Sequence, residues 1–317
     1  MKETLVTIDI IIINYNSGEM LKNCLNSIFN LDRINFILKQ IIIVDNNSND
    51  ESIKNIEDID LPIRLIKNKE NIGYGRACNL AAKFSNSDYI LFLNPDVILM
   101  KNSLEEIINF LKKNNSNKYG VIGIQLLSFN NKISRTCCRF PNLLHFINKI
   151  LGLDKLSNKI FKTYFMTDWD HNESRRVDHV IGAFYFIKRD LFFKVDGFDE
   201  KYFLYFEDLD LSYKLHKIGY EEFYLTTAKA LHKGGGSSGK MKDIRLYYSL
   251  ESRILFCYKY FNFLFATIIF LLTIFIEPFT RLFYFIMKFN YNEIYYLFKN
   301  YLLLWKRLPL ILKRIKE

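Results

Sequence analysis

The chain has 317 residues, half of them apolar and a quarter charged, so it can bury a substantial core and does not belong to the disordered proteins. Lys and Arg together exceed Asp and Glu by ten, which suits anionic partners such as nucleotides, acidic lipid head groups or nucleic acid. The five cysteines have no CxxC spacing, which argues against a disulfide framework and a thiolate zinc site and fits a reducing cytosol. Met1 to Asp9 carry two acids, so we expect no signal peptide.

The first 130 residues alternate strand-like and helix-like segments, a pattern typical of a parallel sheet with crossover helices. Ser103 is the predicted N-cap of the third helix, with Glu105 and Glu106 in its first turn. The predicted strands are 8–13, 41–44, 64–67, 89–93 and 121–127. The predicted helices are 17–30, 75–84 and 103–113.

The segment 128–180 is less regular and rich in aromatic and basic residues, and loops of this kind commonly cover a substrate. Regular structure resumes with a strand at 180–187, a helix at 207–218 and a strand at 222–225. A Gly-rich stretch at 234–239 then separates this α/β part, predicted as a domain at 1–239, from a helical part at 240–317.

The C-terminal part is predicted to associate with a membrane. Residues 260–276 form a run of 17 without a charge, broken by Glu277-Pro278, and 279–287 is apolar apart from Arg281. Seventeen residues is the short limit for a span, and a single span would leave either the main domain or the basic tail outside. A broken hairpin or an interfacial pair of helices satisfies both sides. A soluble aromatic subdomain or an oligomer interface is the alternative.

Asn94-Pro95-Asp96 follows the buried strand 89–93 directly. A carboxylate at the carboxyl end of a strand lies where open α/β sheets bind ligands, so Asp96 is a candidate metal or nucleotide contact. The alternative is an ordinary turn after a strand. A divalent ion on Asp96 needs another protein ligand, and His232 is the best candidate, although a lone histidine is more often structural.

Two earlier segments offer nucleotide-binding chemistry. Asp45 follows the strand 41–44, where its carboxylate can accept from the imide N–H of uracil or thymine, or it can simply cap the next turn. The loop 71–79 places small residues and Arg76 before a helix, which suits a diphosphate. Cys78 replaces the third glycine of the dinucleotide-binding fingerprint, so that fingerprint is excluded.

The helix at 207–218 begins with three acids, which usually serve the helix macrodipole, and we interpret Asp210 in this way. The same field keeps a carboxylate ionised near neutral pH, as a general base requires. Asp208 is therefore the candidate base.

At these residues the chain resembles the family 2 glycosyltransferases, and within them the rhamnosyltransferase-like members. The resemblance covers about residues 5 to 240. The matching motifs are Ile-Asn14-Tyr15-Asn16-Ser17, Val44-Asp45-Asn46-Asn47-Ser48, Asn71-x-Gly73-x-Gly75-Arg76-x-x-Asn79, Asn94-Pro95-Asp96, Gly182-Ala183, Gly197-Phe198-Asp199-Glu200, Phe206-Glu207-Asp208-x-Asp210 and His232.

The resemblance implies the GT-A fold, a Rossmann-like, mixed and mostly parallel sheet with flanking helices. It implies that Asp45 contacts the nucleotide base, that Arg76 lies near the diphosphate, and that Asp96 contacts the metal ion. Asn94, which replaces the first acid of the Asp-x-Asp motif, would touch the ribose or the ion. Asp208 would deprotonate the acceptor hydroxyl.

The other residues that the resemblance assigns complete the site. His232 would be the second protein ligand of the metal ion. That ion would be Mg²⁺ or Mn²⁺, since hard oxygen ligands such as a carboxylate and a diphosphate suit both. The nucleotide-sugar contacts that remain are Asn14, Gly182, Ala183 and Glu207.

The resulting expectation is an inverting glycosyltransferase that moves a sugar from dTDP-L-rhamnose to a hydroxyl of a lipid-linked or saccharide acceptor in cell-surface polysaccharide synthesis. It would be peripheral or monotopic at the cytoplasmic face of the membrane. The Gln-x-x-Arg-Trp pattern of processive members is absent, which favours transfer of one or a few residues. The alternatives are a UDP-hexose or UDP-N-acetylhexosamine donor, and a non-catalytic nucleotide-sugar binding or scaffold protein. Nucleic-acid binding ranks low because much of the basic excess lies in the tail beside apolar helices.

Overall fold

A computed structural model describes residues 5–114, 118–234 and 242–316. Apart from Gly234, the Gly-rich stretch predicted at 234–239 lies outside the described residues. The strands are β1 (Val6–Asn14), β2 (Phe36–Asp45), β3 (Ile63–Lys67), β4 (Tyr89–Leu93), β5 (Val97–Leu99), β6 (Tyr119–Leu127), β7 (Cys137–Cys138), β8 (Arg175–Val177), β9 (His179–Val180), β10 (Phe184–Lys188) and β11 (Glu221–His232). The helices are α1 (Glu19–Phe29), α2 (Tyr74–Ala82), α3 (Ser103–Lys113), α4 (Leu143–Ile150), α5 (Arg189–Lys194), α6 (Glu207–Lys217), α7 (Lys242–Tyr260), α8 (Phe263–Leu271), α9 (Glu277–Met287) and α10 (Tyr291–Lys316).

The main sheet has the strand order β3-β2-β1-β4-β10-β6-β11-β5, with β8 on the side of β11. Strands β1 to β4 are parallel, β6 pairs parallel with β11, and β10 runs antiparallel between β4 and β6. The small β7-β9 pair lies apart from this sheet. The predicted mixed, mostly parallel sheet with flanking helices is confirmed.

The continuous apolar run of β1 is explained by burial on both faces of the sheet. Ile8, Ile10 and Ile12 belong to one core, whereas Ile11 and Ile13 belong to the core on the opposite face. Successive side chains of a strand point to opposite faces, so a central parallel strand requires apolar residues at every position. This arrangement fixes the carboxyl end of β1, and with it the sheet edge where the candidate site lies.

The structure corrects several local predictions. The predicted strand 180–187 is two strands, β9 and β10, and the three residues between them leave the sheet. The short strand β5 follows Asp96 before α3 begins, and β11 extends as far as His232. The N-cap of α3 is Asn102, and the hydroxyl of Ser103 donates to the carbonyl oxygens of Met100 and Lys229 instead. Ser103 is drawn into tertiary contacts that local sequence does not reveal.

The predicted break at Glu277-Pro278 is wrong, because the helix continues from Phe263 to Met287 through a π turn at Leu272–Ile276. Proline lacks the N–H that a regular helix needs, and the wider π turn just before it accommodates that loss. Glu277 is buried and forms ion pairs with Arg253 and Arg281. A charge that looked like a helix breaker is thus a buried tertiary contact.

The C-terminal helices share a third apolar core with the α/β part. Phe146 of α4, Tyr202 and Phe206 before α6, and Leu209 of α6 belong to the same cluster as buried residues of α7, α8 and α10. Among the described residues, the 25-residue helical stretch Phe263–Met287 is long and apolar enough to cross a membrane, judged by length and composition alone. The domain boundary at 239/240 remains a prediction.

Candidate active site

A cavity of about 750 Å³ opens at the carboxyl ends of β1 and β4 and extends to the C-terminal helices. Its walls come from the sheet edge, the segment between β9 and β10, the first turn of α6, and helices α7, α9 and α10. Seven of the ten predicted site residues line it: Asn94, Asp96, Gly182, Ala183, Glu207, Asp208 and His232.

Asp96 and His232 meet at one end of the cavity because β5 and β11 pair antiparallel, with His232 opposite Val97. The His232 Nε2 atom lies 3.4 Å from the Asp96 Oδ1 atom, and the two side chains are 10% and 2% exposed. A carboxylate oxygen and an imidazole nitrogen facing the same space are suitable donors for Mn²⁺ or Mg²⁺. No group of three or more His, Cys, Asp or Glu that could hold a metal occurs in the described parts of the chain. An ion on this pair therefore needs substrate oxygens to complete its coordination.

Asp208 also lines this cavity, at the start of α6. Its Oδ2 atom accepts a hydrogen bond from the Gly182 N–H at 2.7 Å, and its Oδ1 atom accepts from the Leu209 N–H at 2.8 Å. A Cβ atom at Gly182 would lie 3.1 Å from Asp208 Oδ2, so only glycine allows this close approach without a shift. Tyr205 and Phe206 adopt left-handed backbone angles, with φ of 68° and 67°, that turn the chain into α6. The helix N-terminus and the two N–H groups orient the carboxylate, which remains 18% exposed.

Glu207 precedes Asp208 in this first turn and also lines the cavity. It is only 5% exposed, and its Oε2 atom is buried without a hydrogen-bond partner among the described residues. Burial, and then the charge of Asp208, raise the pKa of Glu207 well above its ordinary value. In its protonated form, which this shift favours, Glu207 can donate a hydrogen bond to a sugar hydroxyl.

Asn14, Asp45 and Arg76 do not line this cavity. The Asn14 Nδ2 atom donates to Asp45 Oδ1 at 2.8 Å, and Asp45 Oδ2 accepts from the Ser48 N–H at 3.2 Å, so the carboxylate of Asp45 stabilises its own loop. Arg76 donates to the carbonyl oxygen of Glu200 at 3.2 Å and borders a separate cavity of about 320 Å³. Nucleotide contacts by these three residues remain predictions. Tyr15 and Asn46, next to them in sequence, do line the main cavity.

Sequence reasoning missed the basic side of the cavity. Lys149 of α4, Arg245 and Arg253 of α7, and Arg281 of α9 line its helical half. Lys149 forms an ion pair with Asp154, while Arg253 and Arg281 share Glu277. Arg281 could have been identified from the sequence as a candidate site residue, because it is a single charge within an apolar run. Nothing in the sequence connects the residues of α4 or α7 with the site. The four arginines of 128–180, by contrast, do not line the cavity.

Asp210 has a role beyond the macrodipole interpretation. It is fully buried, and its Oδ1 atom accepts hydrogen bonds from Lys259 Nζ at 2.6 Å and Tyr260 Oη at 2.8 Å. Lys259 Nζ also lies 2.6 Å from Asp199 Oδ2. The end of α7 is therefore tied to the helix that carries Asp208.

Comparisons with known proteins show the family of the chain. The family model described as Glycosyl transferase family 2 matches residues 9–167. Rhamnosyltransferase WbbL of Escherichia coli K12 is 31% identical over 170 residues, covering 50% of this chain and 60% of that protein. The N-acetylglucosaminyl-diphospho-decaprenol L-rhamnosyltransferase of Mycobacterium tuberculosis H37Rv is 26% identical over 212 residues, covering 63% of this chain and 68% of that protein.

Two solved structures share the fold at low identity. The mannosyltransferase PcManGT of Pyrobaculum calidifontis, in complex with GDP-Man and Mn²⁺, has a TM-score of 0.53 at 14% identity and covers 88% of this chain and 72% of its own. GalNAc-T7 with UDP, GalNAc and Mn²⁺ has a TM-score of 0.54 at 16% identity, covering 73% and 44%. The chain belongs to glycosyl transferase family 2 and is a rhamnosyltransferase-like glycosyltransferase of the GT-A fold.

Proposed function

We propose that the protein is an inverting glycosyltransferase that moves L-rhamnose from dTDP-L-rhamnose to a hydroxyl of an anionic, lipid-linked acceptor in cell-surface polysaccharide synthesis. One observation carries the proposal: a single cavity holds the Asp96–His232 pair and the Asp208 carboxylate at separate positions on its wall. The first pair suits a metal-bound diphosphate, and the second position suits a base for an acceptor. Family membership makes a purely non-catalytic role the weaker alternative.

Asp96 and His232 would hold Mg²⁺ or Mn²⁺ together with oxygens of the donor diphosphate. The bound ion supplies charge neutralisation of the departing nucleoside diphosphate. Asn94 lies beside this pair, fixed by a 3.0 Å hydrogen bond from its N–H to the carbonyl oxygen of Ala183, so its amide can contact the ribose or the diphosphate. Glu207 and the backbone at Gly182 face the space left for the sugar.

Asp208 would act as the general base. The acceptor hydroxyl proton moves to Asp208 while the acceptor oxygen forms a bond to the anomeric carbon, and the bond from that carbon to the diphosphate oxygen breaks. The attacking and departing oxygens then lie on opposite sides of the sugar, so the configuration inverts. The two N–H groups that Asp208 accepts from keep its carboxylate oriented during this step.

The donor is the finer part of the proposal. Two relatives named as rhamnosyltransferases support dTDP-L-rhamnose. A UDP-N-acetylhexosamine is the second candidate, because a poly(ribitol-phosphate) β-N-acetylglucosaminyltransferase, TarP of Staphylococcus aureus N315, is 32% identical over 123 residues, 37% of each chain. Thermal stabilisation by a panel of nucleotide sugars separates them. A larger response to a UDP-sugar than to dTDP-L-rhamnose would remove the favoured donor.

The charge pattern of the cavity supports an anionic acceptor. Three of its acids, Asp96, Glu207 and Asp208, lie at the sheet edge and at the start of α6, whereas Arg245, Arg253 and Arg281 lie in the helical half together with one acid, Glu293. Arg245 has no ion pair or hydrogen bond to any described residue, so its guanidinium can bind an anionic group. A phosphate or diphosphate linking the acceptor saccharide to a lipid fits this half of the cavity.

The outer face of the C-terminal helices supports attachment to a membrane surface. Phe279 and Phe283 of α9 are 69% and 66% exposed, while Arg281 and Phe285 of the same helix line the cavity. Further exposed apolar side chains on these helices are Phe263, Leu264, Phe275, Met287, Phe289, Tyr291, Tyr295, Phe298 and Leu302. The buried ion pairs of Glu277 lie in the middle of the 263–287 helix, which favours a helix lying in the interface over one that crosses the bilayer.

Asp208→Asn tests the assignment of the base. With the donor selected by the panel, turnover should fall roughly a hundredfold or more while donor binding remains close to wild type, since the variant keeps the side-chain shape. Asp190→Asn is a matched control, because Asp190 is 95% exposed and lies on α5 outside the cavity wall. Unchanged turnover in Asp208→Asn would remove Asp208 from the base role.

A further inference from the structure

A row of buried polar side chains leads from Asp208 into the protein, and its first member, His179, also lines the cavity. The His179 Nε2 atom lies 3.7 Å from Asp208 Oδ2, and the His179 Nδ1 atom lies 2.8 Å from the Ser212 hydroxyl oxygen. His179 comes from β9 and is 3% exposed, and Ser212, one helical turn after Asp208, is 1% exposed. The imidazole therefore lies between the proposed base and the next turn of the same helix.

The row continues to the centre of the sheet. The Tyr185 hydroxyl lies 3.0 Å from the Ser212 hydroxyl and 3.3 Å from Glu222 Oε1, and Glu222 Oε2 accepts from the Val180 N–H at 2.9 Å. Tyr185 is fully buried and Glu222 is 3% exposed. A tyrosine, a serine and a carboxyl in this interior cost folding free energy that apolar residues of the same size would not, so their presence calls for a function.

Two hydrogen-bond arrangements are open to His179. When Glu222 is protonated, it can donate to Tyr185, Tyr185 to Ser212, Ser212 to His179 Nδ1, and His179 Nε2–H then faces the carboxylate. The Ser212 hydroxyl also lies 2.9 Å from the Asp208 carbonyl oxygen, and if it donates there, His179 Nδ1–H donates to Ser212 instead. In both arrangements one ring nitrogen is held by Ser212 and the other faces Asp208 Oδ2, but a neutral imidazole presents an N–H to the carboxylate only in the first.

We propose that His179 is a positioning residue for Asp208, and that Ser212, Tyr185 and Glu222 hold its imidazole in place. This inference rests on the proposed role of Asp208 as the base. Two of the three contacts to the Asp208 carboxyl group come from backbone N–H groups, and His179 is the one side chain among them. Its imidazole limits rotation of the carboxylate and stabilises the orientation in which an oxygen points to the acceptor.

Several titratable groups surround the imidazole and enter any pH profile. Asp208 faces it from α6, Cys138 lies opposite it in the β7-β9 pair, Asp178 precedes it, and Glu222 of β11 lies at the far end of the row. Burial is the largest influence on His179 and lowers its pKa. A neutral imidazole suits the first arrangement, in which Nε2–H faces Asp208.

Tyr185→Phe is the sharpest variant, because it removes one hydroxyl three contacts away from the Asp208 carboxylate and leaves the side-chain shape unchanged. Tyr224→Phe is its matched control: Tyr224 is also fully buried in the sheet, and its hydroxyl donates to the His171 carbonyl oxygen at 3.4 Å, outside the row. Release of nucleoside diphosphate from dTDP-L-rhamnose and from UDP-N-acetylglucosamine would be followed between pH 5.5 and 9.

For Tyr185→Phe we expect kcat to fall roughly tenfold or more, the pH profile of kcat to shift, and the KM for the donor to stay within about twofold. His179→Phe should show a larger fall, and His179→Gln, which can donate toward Asp208, should recover part of it. Equal kinetics of Tyr185→Phe and Tyr224→Phe would overturn the inference.

A second measurement does not depend on turnover. The ¹⁵N resonances of labelled histidines would be recorded, with His179 assigned through His179→Gln. The Asp208→Asn and Tyr185→Phe substitutions should each move the resonances of His179, whereas Tyr224→Phe should not. If neither substitution moves them, the inference fails even when turnover confirms the proposed function. If wild type turns over no nucleotide sugar but these shifts occur, the proposed function fails and the contact with Asp208 stands.

Discussion

The buried carboxyl of Glu222 makes the stability of the protein depend on pH in a direction that can be measured. Burial raises the pKa of Glu222 from an ordinary value of 4.5 to about 8. Between these values the folded state holds one proton more than the unfolded state. The free energy of unfolding therefore falls as pH rises through this window, because the unfolded chain releases a proton that the folded chain must keep.

The magnitude follows from the size of the shift. Each pH unit inside the window contributes about 1.36 kcal/mol, and the effect levels off near pH 8, so stability should fall by about 2 kcal/mol between pH 6 and pH 8. Glu222→Gln removes this contribution, because glutamine stays neutral, can accept from the Val180 N–H and can donate to Tyr185. Other titrating groups are common to both proteins and cancel in the comparison.

The assay is thermal unfolding of wild type and Glu222→Gln, followed by circular dichroism at pH 6, 7 and 8 in the same detergent. We expect similar midpoints at pH 6 and a relative gain of a few °C for Glu222→Gln at pH 8. Two curves that stay parallel across this range would mean that Glu222 is ionised throughout, and the reasoning from its burial would be refuted.

Three further outcomes are expected. Asp210→Asn should reduce the free energy of unfolding, measured by urea denaturation, by about 2 to 3 kcal/mol. This loss is smaller than for a fully buried ion pair because Lys259 is about one third exposed. Asp96→Asn should weaken Mn²⁺-dependent binding of dTDP roughly tenfold or more while leaving metal-free binding unchanged, which calorimetry with and without EDTA resolves. The double variant Phe279→Asp and Phe283→Asp should abolish sedimentation with anionic lipid vesicles without changing the far-ultraviolet spectrum, and undiminished sedimentation would contradict an interfacial α9.

The sheet and the cavity edge were predictable because their signals are local. A buried central strand requires an uninterrupted apolar run, and the polar residues after it must lie at its carboxyl end, which located Asp96 and Asp45 correctly on the sheet edge. The sequence could not separate them further. The carboxylate of Asp45 accepts hydrogen bonds from Asn14 and Ser48, whereas Asp96 lines the cavity. That difference depends on which loops fold over the end of each strand.

Residues whose role depends on distant partners were interpreted less well. Asp210 and Glu277 looked like a macrodipole acid and a helix breaker, since each has a sufficient local explanation. In the fold, Asp210 binds Lys259 and Glu277 binds Arg253, contacts that span 49 and 24 residues. No pattern in one segment identifies such pairs, because the first forms only when α7 packs on α6 and the second only when α7 and α9 pack together.

That packing also has a consequence for how the site is built. The helix that carries Asp208 is tied through Asp210 to Tyr260 and Lys259 of α7, and α7 also contributes Arg253 to the cavity lining. A helix that supports the base and also borders the proposed acceptor position couples the two geometrically. Since α9 and α10 pack against this arrangement and expose the apolar face proposed to contact lipid, attachment to a membrane would orient the helical half of the cavity toward an acceptor in that surface.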